Sequence, residues 1–365
     1  MSGVRTSTAP ARGGPADATA SPSPATLERV GRGRARRAAR RRGVMLALLV
    51  LLVAVFVVTL TVGRTFYPLD DVVRVILGEQ VPGASFTVGR LRLPRAVLAL
   101  VAGFSFGLAG VTFQTMLRNP LASPDVIGIS SGASAAAALA IVTLSLGGAQ
   151  VSVFAIAAGL AVALLIYVLA YRDGVAGTRL ILIGIGISAM LDSVVAYVLS
   201  QAAEWDRQEA MRWLTGSLNG ASWDGIAPAA VALAVLSPVL LRQSRGLRAM
   251  QLGDDTAAAL GVRVERTRVV VVVAAVVLIA FATAAAGPVA FVAFLSGPIA
   301  ARLVGPGGSL LLPAGLVGAL LVLVADLAGQ FAFGTRYPVG VVTGVLGAPY
   351  LVHLIIRTNR AGGSL

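Results

Sequence analysis

The chain has 365 residues, of which 57% are hydrophobic and only 13% charged, with a mean hydropathy of +0.86. A soluble domain carries about 25% charged residues, so this balance places the chain in a membrane. It contains no cysteine and all 30 basic residues are arginine. That excludes disulfides, thiolate metal sites, cysteine nucleophiles, a phosphate-loop lysine and a Schiff-base lysine.

The net charge of +14 would suit nucleic acid, but the arginines sit between apolar runs, where membrane orientation puts them. No nucleic-acid partner is expected. Residues 1–43 are rich in Ala, Pro, Ser, Gly and Arg without an apolar period, and they read as a disordered cytoplasmic tail. Its basic end, 31–43, serves either as an orientation signal or as a contact for anionic membrane lipid. The first apolar run, 44–62, is longer than a signal-peptide core and is followed by many others, so it stays as a helix.

Apolar runs fall at 44–63, 94–117, 125–146, 151–171, 179–200, 225–241, 268–285, 287–304, 310–330 and 339–356. The chain is therefore expected to be an all-α polytopic membrane protein of about ten spans, each near the roughly 20 residues that cross a bilayer. Only Gly287-Pro288 separates the two runs between 268 and 304. Threading the spans from a cytoplasmic N-terminus puts 22 of the 30 arginines on inner segments, ten of them in the tail, and eight on outer ones. That asymmetry puts both termini inside, with a transmembrane body at 44–357 and a short cytoplasmic tail at 358–365.

The most informative stretch runs from Arg92 to Ala138. Gly103, Gly107 and Gly110 allow close helix approach in lipid, and Arg118-Asn119-Pro120 reads as a turn at a membrane face, since exposed backbone is not tolerated in hydrocarbon. Two loops exceed plain turns. Outer segment 201–222 carries charges and two tryptophans, suiting a short interfacial helix. Inner segment 242–267 has a helical pattern around Met250–Leu260, bracketed by Gly246, Gly253 and Gly261, and its acidic pair Asp254-Asp255 invites a partner.

Catalytic chemistry is poorly supplied. Gly128-Ile129-Ser130-Ser131-Gly132 fits nucleophile-elbow spacing, but no strand–turn–helix context exists, and small residues at a helix start explain it better. The single histidine, His353, sits near the inner end of the last span. Asp192 and Asp326 lie in or near apolar spans, where acidic residues are functional suspects. Without lysine or a well-placed histidine, a proton relay is ill equipped. No metal-ligand cluster and no cofactor site is read from the sequence; the chain reads as a passage and not as an enzyme.

The same stretch resembles the FecCD-type permease family, the membrane subunits of ATP-binding-cassette importers for iron-siderophores, haem and cobalamin. The family elements R-L-P-R, G-x-x-x-Q and R-N-P-L-A-x-P stand at Arg92–Arg95, Gly110–Gln114 and Arg118–Pro124. Leu182-Ile183-Gly184-Ile185-Gly186 resembles the fifth helix, and Trp213, Gly216 and Trp223 the outer loop. Leu252-Gly253-Asp254-Asp255-Thr256-Ala257 with Leu260-Gly261 is similar to the loop that seats on the ATPase. Ala286–Phe291 and Pro338–Thr343 with Gly347-Ala348-Pro349 resemble the C-terminal signatures.

The resemblance implies a type II importer permease fold and a dimer with an identical or sister permease. It also implies two ATP-binding subunits below and an extracytoplasmic siderophore-binding protein above, with ferric siderophore as cargo and ATP hydrolysed on another chain. It implies ATPase coupling through Leu252, Gly253, Asp254, Asp255, Ala257, Leu260 and Gly261. Gly184, Gly186, Ser188 and Gln114 would line the pathway, and Arg92 and Arg95 would meet the binding protein. The sequence departs from the family's usual pattern in three places. Pro298-Ile299-Ala300-Ala301-Arg302 lacks a histidine, Gln330 stands where an arginine is usual, and Arg336 precedes the last proline where an acid is usual. Arg336 is therefore expected to replace the contact Gln330 cannot make. The competing expectations are a cobalamin or haem permease, an ion-coupled secondary transporter, and an intramembrane hydrolase built on Ser130.

Overall fold

The computed structural model describes residues 24–124, 128–170 and 177–360. The chain forms two units, Met1–Gly43 and Val44–Leu365. In the first, the described residues are helical, the opening part of α1 (Pro24–Thr61). Here the structure differs from the tail expected through residue 43: arginine and alanine are strong helix formers, and Arg32 adds an exposed ion pair to Glu28 one turn away.

The second unit holds all later elements. After α1 come α2 (Leu69–Ile76), a one-turn α3 (Ala84–Phe86), a π-helical segment (Thr87–Arg92) and α4 (Leu93–Met116). Then follow α5 (Ile129–Val142), α6 (Ala149–Ala170), α7 (Gly177–Gln201), α8 (Glu204–Leu214) and α9 (Trp223–Arg242). The chain ends with α10 (Ser244–Met250), α11 (Asp254–Ala259), α12 (Val264–Ala286), α13 (Val292–Val304), α14 (Leu311–Phe331) and α15 (Val339–Arg360). Among the described residues seven helices are long and apolar enough to cross a membrane, with shorter apolar helices at Ile129–Val142, Val292–Val304 and Val339–Leu354. Each of the ten expected runs has its helix.

Two spans are shorter than their apolar runs. The expected start of the third at 125 lies outside the described residues, and α5 begins at Ile129. The eighth, expected from 287, starts only at Val292, because Gly287 (φ 70) and Phe291 (φ 63) both take left-handed backbone. At about 1.5 Å per residue neither helix covers the roughly 30 Å hydrocarbon thickness. The 242–267 segment differs too: Gly253 (φ 110) divides the expected single helix into α10 and α11.

Helix α4 is the hub. Its apolar window is 83% buried, against 11% for α7, and it packs on α9, α12, α13 and α14. Glycine makes this possible: a methyl at Gly107 would overlap the Ala314 carbonyl, and one at Gly110 the Ala293 carbonyl. Gly318 on α14 answers from the other side, pressed on the backbone of Gly103. Small residues thus let three helices meet backbone to backbone. The π-segment has a local cause in Pro94, which lacks the N–H that would close an ordinary helical bond to Arg90.

Candidate functional site

Two features stand apart from ordinary packing, and they lie at opposite ends of the bundle. At one end a cleft of about 450 Å³ is lined by Arg64, Arg92, Arg95 and Arg336 with Asn219 and Gln330, and among the described residues no carboxylate lines it. Its arginines are held differently. Arg92, on the π-segment, donates Nη1–H to the carbonyls of Leu60 (2.9 Å) and Thr61 (3.0 Å) and Nη2–H to Thr65 (2.6 Å). It thereby caps the carbonyl end of α1, where cations are favoured, and its guanidinium lies 5.2 Å from the Tyr67 ring centroid. Its partners are neutral, so its charge is not cancelled.

Arg95 is committed inward. Its Nε–H donates to Asp326 Oδ2 (2.9 Å), its Nη2–H to Oδ1 (2.7 Å), and Nη1 reaches Asn219. Asp326 is 2% exposed and Arg95 15%. Gln330, one turn along α14, donates Nε2–H to the same carboxylate (2.8 Å). Asp326 is therefore neutralised in place, a lock between α4, α14 and the 216–222 loop. Arg336 and Arg64 are exposed. Sequence reasoning passed over Arg64, although its position just beyond the first apolar run carries the same orientation signal as Arg92.

At the other end α10 and α11 form a small platform. Leu252 and Leu260 are 65% and 64% exposed, Asp255 is exposed, and Ala257 is buried beneath them. Gly253 (φ 110) and Gly261 (φ 82) bound α11 in backbone that other residues rarely adopt. Asp254 ion-pairs with Arg118 and, at 2.7 Å, with Arg268. Of the coupling candidates, Leu252, Asp255 and Leu260 are therefore exposed on this short element, while Ala257 anchors it from below.

The four pathway candidates are not brought together. Gly184, Gly186 and Ser188 lie on α7, which packs on α5 and α6 and leaves Leu182, Ile185, Met190 and Tyr197 exposed along one face. Among the described residues the buried Ser188 hydroxyl has no hydrogen-bond partner. Gln114 is instead buried between α4 and α13, where its Nε2–H donates to the Phe294 carbonyl (2.9 Å). That carbonyl lies four residues before Pro298, which has no N–H to offer it. The glutamine thus supplies the bond the proline removes, and a side chain at Gly297 would collide with it.

The suspected acids separate. Asp326 is locked, while Asp192 is exposed on α7. Ser130 is buried at the start of α5, which packs on α6, α7, α8 and α12, whereas α15, carrying exposed His353, meets α13 and α14. Among the described residues no group of three or more His, Cys, Asp or Glu side chains could hold a metal. Arg302 uses Tyr350, donating Nη1–H to its hydroxyl at 2.8 Å, in the segment that lacks the usual histidine.

The FecCD transport family profile matches residues 51–357. The ferric enterobactin transport system permease protein FepG of Escherichia coli (strain K12) is 40% identical over 301 residues, 82% of this chain and 91% of that protein. The achromobactin transport system permease protein CbrC of Dickeya dadantii (strain 3937) is 40% identical over 321 residues, 87% of this chain and 92% of the other. A solved metal-chelate type ABC transporter in an inward-facing conformation superposes with a TM-score of 0.78 at 27% identity, covering 87% of this chain and 99% of that one.

Proposed function

Since the chain belongs to the FecCD transport family, we propose that it is the membrane-spanning permease subunit of an ATP-binding-cassette importer that brings a ferric siderophore into the cell. The observation that carries this is 40% identity, over most of both chains, to two permeases named for siderophore transport. Permeases of this kind work with ATPase subunits and a second permease, and the absence of any lysine agrees that the phosphate-loop chemistry belongs to another chain.

The two ends divide the labour. The arginine-lined cleft faces outward and receives an extracytoplasmic binding protein, with Arg64, Arg92 and Arg336 giving it positive charge and Arg95 holding the cleft's floor. Complementary charge there speeds encounter and makes it salt-dependent. The α10–α11 platform faces the cytoplasm, and Leu252 and Leu260 are its contact to the ATPase. The exposed face of α7 meets the second permease, identical or sister, and lines the route with Gly186 and its neighbours. Closure of the ATPases moves 249–262 and switches the cavity between outward- and inward-open states. An ion-coupled carrier fits less well, because Asp326 is already paired with Arg95.

The test is uptake by the reconstituted complex, measured across ferric catecholate, hydroxamate and citrate-type siderophores with cobalamin and haem as comparators. Saturable uptake of a ferric siderophore is expected. Uptake of cobalamin or haem alone would replace the cargo, leaving the importer architecture standing.

A further inference from the structure

We propose that Asp254 is a tie that carries displacement of the α10–α11 platform into the membrane helices, holding α4 through Arg118 and α12 through Arg268. This rests on the reading of 249–262 as the ATPase-facing element and adds to it how motion leaves that element.

Glycines border the platform: Gly253 and Gly261 bound α11, and both take positive φ. Between those two joints α11 is held by its backbone and by buried Ala257, and the side chains on Asp254 add directed polar contacts to two spans. One carboxylate oxygen takes Arg118, just past the end of α4, and the other takes Arg268 Nη2–H at 2.7 Å, near the start of α12. Arg268 is only 12% exposed and is fixed further by Glu265 at 2.7 Å. Helices α4 and α12 pack extensively on one another. The tie therefore ends on two helices packed against each other in the bundle, one of them the hub α4.

Arg118 carries an independent sign that its side chain is wanted. Helix α4 closes with Asn119 N–H donating to the Gln114 carbonyl (3.1 Å) and Arg118 N–H to that of Thr115 (3.4 Å), a Schellman-type end. The residue at its left-handed position is Arg118, with φ 53, where glycine is the unstrained choice. Strain of that kind persists when the surroundings demand the residue, and here the demand is the bond to Asp254. Substitution by glycine thus relaxes the backbone and cuts the tie at once, which separates a folding role from a transmitting one.

The experiment uses the full complex with its ATPase and binding protein in proteoliposomes. It compares wild type with Arg118→Gly, Asp254→Asn and Asp254→Glu, reading melting temperature, ATPase retained on purification, and substrate carried per ATP hydrolysed. For Arg118→Gly the expected result is a melting temperature at or above wild type, the ATPase retained, and a transport-to-hydrolysis ratio down roughly tenfold. Asp254→Asn should lower the ratio similarly, and Asp254→Glu, which keeps the charge, should recover most of it. An unchanged ratio in Arg118→Gly overturns the tie while wild-type coupling leaves the platform reading intact. A lower melting temperature with loss of the ATPase also overturns it, making the pair structural only. Wild-type transport indifferent to ATP overturns the platform reading, and the tie with it.

Discussion

Asp326→Ala should destabilise the permease more than any docking role would suggest. The carboxylate accepts from Arg95 at 2.9 and 2.7 Å and from Gln330 at 2.8 Å, at 2% exposure. Removing it strands a guanidinium that is 15% exposed; breaking a buried pair from one side costs about 3–5 kcal/mol, a large part of the roughly 5–15 kcal/mol that folded proteins hold. Arg95→Glu should do worse, since it sets one carboxylate against another. Replacing both partners by leucine removes both desolvation penalties, so the double variant should be more stable than either single one. Thermal unfolding in detergent, followed by tryptophan fluorescence, reads wild type, the double variant and the matching Asp326→Leu and Arg95→Leu single variants. If the double variant loses the sum of the single losses, the two residues are not energetically coupled and the lock between α4 and α14 is wrong.

Gln114→Leu should cost about 1–3 kcal/mol by stranding the Phe294 carbonyl that Pro298 leaves open, measured as a drop in melting temperature; an unchanged value would mean another donor serves that carbonyl. Gly253→Val or Gly261→Val, each forced into a positive φ, should lower transport per ATP hydrolysed while membrane insertion stays normal, and full transport in both would remove 249–262 from the coupling path. Arg336→Glu should weaken binding-protein affinity and flatten its salt dependence far more than Arg336→Ala does; if neither changes, Arg336 is a membrane-interface anchor.

Much of the fold was legible because membrane spans are local signals. An apolar run announces itself over about 20 residues, and Gly103, Gly107 and Gly110 marked α4 as the close-packed helix before any contact was known. The 204–214 helix was foreseeable from its tryptophans and charges. What escaped were pairings across long separations. Nothing beside Arg95 points to Asp326, 231 residues away, so its inward pairing could not be read from the docking role that the family resemblance implied. Gln114 entered as a pathway residue through the family's G-x-x-x-Q element; its bond to the Phe294 carbonyl depends on the backbone of α13 and could not be read from the sequence. The division at Gly253 depended on a positive φ that a helical pattern of side chains does not reveal. Arg118 read as part of a polar turn, with no hint that its side chain reaches α11.

The central claim is that a separate ATPase, and no ion gradient, drives cargo through this chain. Proteoliposomes containing the permease, its ATPase and its binding protein, given labelled ferric siderophore, test it directly. The account predicts uptake when ATP is supplied to the ATPase side, and none when a proton or sodium gradient is imposed without ATP. Uptake driven by either gradient in the absence of the ATPase would contradict it.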